Sequence, residues 1–216
     1  MKIFIVSIFI VFVLAINLFA QNTIQKTQKL VDEVIEKAYP ELKDKLIEVR
    51  TFESESDYFR AGFSFGKYLT FRKMKYLIYV NLQVFAKKSP VNGIRSIIAH
   101  ELAHILYFAE RNRFELLGLA SLSSNSFTQK FEHRADLEAI SRGYGEGLKE
   151  YRVWLYQNIP AKNLAEKQRN YFAPDEIEVV INLFQQNPQK IVEWRKNSWK
   201  ELDYLWNSSS IKTKIK

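Results

Sequence analysis

The sequence predicts an α+β fold: a leading helix, a small antiparallel or mixed sheet, and a mostly helical C-terminal part. Three observations carry this. Residues 23–38 space their apolar side chains at helical intervals, residues 58–86 are rich in aromatic and β-branched residues, and a long apolar stretch after Pro90 reads as helix. The chain has 216 residues, 47% hydrophobic and 26% charged. That is enough apolar material for a packed core, and it excludes a disordered chain.

The first element is a targeting signal. Lys2 precedes an apolar run from Ile3 to Leu18, and the small residue Ala20 precedes Gln21. This is the pattern of a secretory signal peptide cleaved after Ala20, which leaves residues 21–216 as a single domain. The run also approaches the ~18-residue length of a membrane-spanning helix, so retention as an N-terminal anchor is the alternative. In both cases the remainder is expected to be exported, whether periplasmic, secreted or held outside the cytoplasm on a membrane. The chain has no cysteine, so it has no disulfides and any metal site must use nitrogen and oxygen ligands.

The other elements follow in order. Ile24, Leu30, Val31, Val34, Ile35 and Ala38 mark a helix that Pro40 ends. Residues 45–54 read as a first strand. Residues 58–86, punctuated by Gly62 and Gly66, read as two or three antiparallel strands. Ser89 and Pro90 read as N-cap and first residue of a helix reaching Ala109. The polar stretch 121–126 separates it from a second helix, about Phe127 to Ser141, which "GYGEG" (143–147) breaks. Further helices are expected over about 148–157, 174–187 and 188–206.

Lys and Arg exceed Asp and Glu by 32 to 24, a net +8. The surplus is dispersed, with mild clusters at 68–76, 194–200 and 212–216. With no zinc knuckle, RNA-binding signature or helix-turn-helix pattern, nucleic acid is not an expected partner. The charge is compatible with attraction to an anionic membrane surface. Nothing in the sequence sets the oligomeric state.

The chemistry concentrates in "IIAHELAHIL" (97–106). The chain has only three histidines, and two of them, His100 and His104, lie four apart here in apolar surroundings. On a helix that spacing turns them about 40° from one another, so both can bind one metal ion. Glu101, about 100° round from His100, flanks the pair and can take a proton from a water on the metal without being a ligand. A catalytic zinc site needs a third protein ligand. The motif His-Glu-x-x-His-x-x-Gly-x-x-His does not supply it, because Tyr107 and Glu110 occupy its last two defined positions. The better source is "FEHRADLEAI" (131–140), where Glu132 and Asp136 share a helix face. Glu132 would complete the site, and Asp136 would accept the outer N–H of His100. His133 is the rival third ligand.

Together, "HELAH" and "EHRAD" resemble the gluzincin zinc metallopeptidases. The form is most similar to the family of the CAAX prenyl protease and the heat-shock protease HtpX, and to the small minigluzincins, over about residues 75–141. The resemblance implies a zincin-like fold with a sheet packed on the active-site helix. It also implies one zinc ion held by His100, His104 and Glu132, Glu101 as general base, and Asp136 behind a ligand. "KYLIYVNLQ" (75–83) takes the place of the edge strand that pairs with substrate in that family. The chain lacks the internal membrane spans of the integral-membrane members, which favours an exported, single-domain endopeptidase acting on protein or peptide. The donor that stabilises the oxyanion stays open among Tyr144, Tyr171, Arg142 and His133, with Tyr144 preferred for its place in the glycine-flanked break. A metal-binding, chaperone-like interaction module is the rival function. It would have no need of Glu101.

Overall fold

A computed structural model describes residues 2–64, 66, 73–111, 125–189 and 191. Among these residues it is a mixed α+β structure, mostly helical, with one three-stranded sheet. The chain forms two compact units, residues 1–88 and 89–216.

The first unit opens with α1 (Lys2–Ala38), and the helix expected over 23–38 is its C-terminal part. The apolar run Ile3–Leu18 lies within α1, but its side chains fall outside the described set. Among the described residues no helix is long and apolar enough to cross a membrane. Pro40 begins a tight 3-10 turn to Leu42. The strands are β1 (Leu46–Thr51), β2 (Phe59–Phe63) and β3 (Lys75–Val80), followed by the short α2 (Gln83–Ala86). The sheet order is β1-β3-β2. β3 runs parallel to β1, with Leu46 opposite Lys75, and antiparallel to β2, with Phe59 opposite Val80.

This order corrects one expectation. The 75–83 segment is not an edge strand, because β3 is paired on both sides. Its composition gives the reason. Tyr76, Leu77, Ile78 and Val80 are all buried, and a nearly continuous apolar run suits a strand covered on both faces. The outer side of β1 is partly sealed: the Val49 N–H donates to Gln28 Oε1 at 3.0 Å, and Gln28 Nε2 lies 3.5 Å from the Ile47 carbonyl. A side-chain amide from α1 thus stands where another strand would pair.

The second unit is helical: α3 (Val91–Ala109), α4 (Asn125–Ala139), a π-type turn (Ile140–Tyr144), α5 (Gly145–Asn158), α6 (Ala161–Asn170) and α7 (Pro174–Gln186). Pro90, not Ser89, holds the position before α3, extended at φ −53° and ψ 136°. α3 is buried nearly all round, with Ile98, Ala99, Leu102, Ala103 and Ile105 fully enclosed. Each such leucine or isoleucine contributes roughly 1.5–3 kcal/mol of burial. α3 packs on α4 and α5, and α5 packs on α7. Gly143, at φ 91°, makes the break that the glycine-rich stretch predicts. At Gly147 a Cβ would lie 2.6 Å from the Asn92 carbonyl oxygen, so only glycine lets α5 approach α3 this closely.

α6 has no counterpart in the sequence reading. "AKNLAEKQRN" holds only one large apolar residue, Leu164, and so has no hydrophobic period, although its residues are good helix formers. The helix expected over 188–206 lies almost wholly outside the described residues.

Candidate metal centre

α3 supplies His100, Glu101 and His104, and α4 supplies Glu132, His133 and Asp136. Where these helices pack, three donor atoms converge. His100 Nε2 lies 3.0 Å from Glu132 Oε2 and 3.1 Å from His104 Nε2, and His104 Nε2 lies 3.2 Å from Glu132 Oε2. The two imidazoles meet nearly edge to face, 85° between planes. Among the described residues this is the only trio of ligand-type side chains so gathered, and it can hold a metal ion.

The donor set fits an ion. Three tetrahedral ligands at about 2.1 Å from one centre stand roughly 3.4 Å apart, so the observed triangle needs only slight opening. His100 Nδ1 is 2.8 Å from Asp136 Oδ1 and donates to it. That leaves Nε2 facing the Glu132 carboxylate, where either the second proton of an imidazolium or a cation lies between the two. The formal charges agree. Glu101, Glu132 and Asp136 against Arg152 leave two negative charges, which one divalent cation cancels.

The same field acts on each group. Burial disfavours charge on His100, yet Asp136 and Glu132 outweigh it and push its pKa up to about 10. Burial would raise Glu132, but the His104 and His100 imidazoles hold it well below the usual carboxylate range. Burial would also raise Asp136, but the Arg152 guanidinium and His100 hold it low. Glu101 is buried on α3, near enough for its charge to bear on His100.

The remaining sequence candidates separate. His133 turns away from the trio: its ring stacks on Phe172, with centroids 4.3 Å apart, and bonds to the Tyr171 backbone. Burial pushes its pKa down to about 4. Arg142 is engaged by Glu138 at 2.5 Å, both side chains almost fully buried. Tyr144 is a core residue at the π-type turn. Tyr171 lies beside a candidate ligand, its ring centroid 5.9 Å from that of His100.

Three contributors escape sequence reasoning. Arg152 on α5 donates to both oxygens of Asp136, at 3.0 and 3.2 Å. The Phe172 N–H, between α6 and α7, donates to Asp136 Oδ2 at 3.0 Å. Phe131 stacks on His104 with centroids 4.3 Å apart. Only Arg152 leaves a trace in the sequence: a cation inside the apolar "YRVWLY" (151–156) calls for a buried carboxylate.

No family model, curated protein or solved structure matches the chain. The functional reading therefore rests on the residues and their geometry.

Proposed function

We propose that this chain is an exported zinc-dependent endopeptidase of gluzincin type. The observation that carries the reading is the His100, His104 and Glu132 triangle with Asp136 bonded behind His100. Two imidazoles and one carboxylate are a zinc donor set that leaves a position for water.

Bound zinc supplies a Lewis acid and a water that ionises near neutral pH. The chain's own residues do the rest. His100, oriented by Asp136, and His104 present their Nε2 atoms to the ion, with Glu132 Oε2 as the third donor. Glu101 accepts the proton of the attacking water as its oxygen bonds to the peptide carbonyl carbon. The same carboxylate then hands that proton to the amine nitrogen as the C–N bond breaks. For the developing oxyanion we assign Tyr171, not Tyr144, as side-chain donor, because its ring lies against His100. Export rests on Lys2, the apolar run and Ala20, and predicts a mature N-terminus at Gln21.

The test is cleavage of a peptide library by the zinc-loaded chain beside Glu101→Gln. That variant keeps zinc and loses turnover by ~10²–10⁴-fold, the usual worth of a general base. Equal turnover in the two would overturn the mechanism. Stoichiometric zinc with no cleavage of any peptide by the parent would favour a binding module. His133→Ala is expected to retain zinc, and its loss there would move the third ligand from Glu132.

A further inference from the structure

Arg152 is 1% exposed, among the most deeply buried side chains of the chain. A guanidinium does not shed its charge on burial, so it needs an anion at hand. That anion is Asp136, fully buried, whose Oδ1 and Oδ2 lie 3.0 and 3.2 Å from Arg152 Nη2. The other side of the guanidinium lies over the Tyr171 ring, 4.5 Å from its centroid. Asp136 also accepts from the Phe172 N–H and from His100 Nδ1. Every neighbour that touches this carboxylate in these contacts is therefore a donor.

We infer that Arg152 is a positioning residue of the metal centre, acting through Asp136 to fix the tautomer and direction of His100. The inference rests on the metal-binding reading above. Surrounded by donors, Asp136 can only accept, so His100 must place its proton on Nδ1 and turn the Nε2 lone pair toward Glu132 and His104. Without Arg152, Asp136 loses the donor that meets both of its oxygens and is free to turn from Nδ1, so neither the tautomer nor the direction of the His100 ring is held. The guanidinium thus reaches the metal through two hydrogen bonds without touching any ligand. It also joins α5 to α4 and to the 171–172 segment, so its effect on metal must be separated from its effect on folding.

A double-mutant cycle read on zinc affinity, by chelator competition on the folded full chain, makes that separation. The variants are Arg152→Met, Arg152→Lys, Asp136→Asn and each Arg152 variant combined with Asp136→Asn. Arg152→Met is expected to weaken zinc ~10–100-fold, the range for partners behind a ligand. Arg152→Lys, which keeps the charge but loses the planar fork, should restore part of the loss. In the Asp136→Asn background either change should weaken zinc by no more than about twofold, because the carboxylate through which Arg152 acts is gone. Should Arg152→Met fail to fold, Arg152→Lys runs the same cycle. Two results overturn the inference alone: a parent that binds zinc while both Arg152 variants bind it equally well, or losses that add in full to that of Asp136→Asn. A parent that takes up no zinc overturns the reading of the site, and this inference with it.

Discussion

The two histidines of the candidate centre lie four residues apart on one helix, yet they are held by opposite means. His100 is held by polar contacts: its Nδ1 meets Asp136, which meets Arg152 and the Phe172 N–H. His104 is held by packing. Its ring stacks on Phe131, itself in an aromatic cluster with Tyr107 and Phe108, and its buried Nδ1 has no hydrogen-bond partner among the described residues. A carboxylate behind an imidazole makes it a more basic ligand and fixes its tautomer. An aromatic wall fixes only where the ring lies. The two ligands are therefore unequal in what supports them, although equal in what they would offer an ion.

The largest expected effect ignores this difference. His100→Ala, His104→Ala and Glu132→Ala each leave two protein ligands, so each should lose stoichiometric zinc by metal analysis. Full zinc in any one of them would remove that residue from the site. Metal removal should also act on stability, because it takes away the cation that the buried donor trio would share. Chelation is expected to lower Tm and zinc to restore it, the unfolding free energy rising by about 2.7 kcal/mol at a hundredfold excess over Kd. A Tm indifferent to chelator would mean the trio holds no ion.

Next in size is the His100 side. Asp136→Asn keeps the shape of the side chain but removes the charge that the Nδ1 proton and Arg152 both meet. A loss of ~10–100-fold in zinc affinity or turnover is expected. Parent-like affinity would show that the hydrogen bond at 2.8 Å does not set the ligand.

The same contrast explains what the sequence could reveal. His100, His104, Glu132 and Asp136 are legible as neighbours because each pair repeats at four residues on one helix, and polar groups stand out in an apolar run. The α+β order is legible for the same reason of local period. Arg152 and Phe172 are not, because they arrive from α5 and from the segment between α6 and α7, at separations only tertiary packing decides, and the sequence leaves Tyr171 as one open candidate among four. The glycine-flanked break singles out Tyr144, and in the structure Gly143 makes a kink there with Tyr144 buried beside it. In the sheet, the resemblance implies an edge strand at 75–83, whereas the nearly unbroken apolar run there belongs to a central one.

The smallest effect expected belongs to the His104 side. Phe131→Leu removes the stacked ring, 26° from parallel, but leaves an apolar side chain of comparable reach. No hydrogen bond, tautomer or charge changes with it. An aromatic pair contributes about 0.5–1.5 kcal/mol beyond the area it buries. If all of that orients His104, zinc affinity falls by about tenfold at most; if part of it only stabilises the fold, the fall is smaller and Tm takes the remainder. Chelator competition on Phe131→Leu and Asp136→Asn side by side therefore ranks the two supports. A larger loss from Phe131→Leu would invert the comparison and make ring packing, rather than the carboxylate relay, the main constraint on the ligand pair.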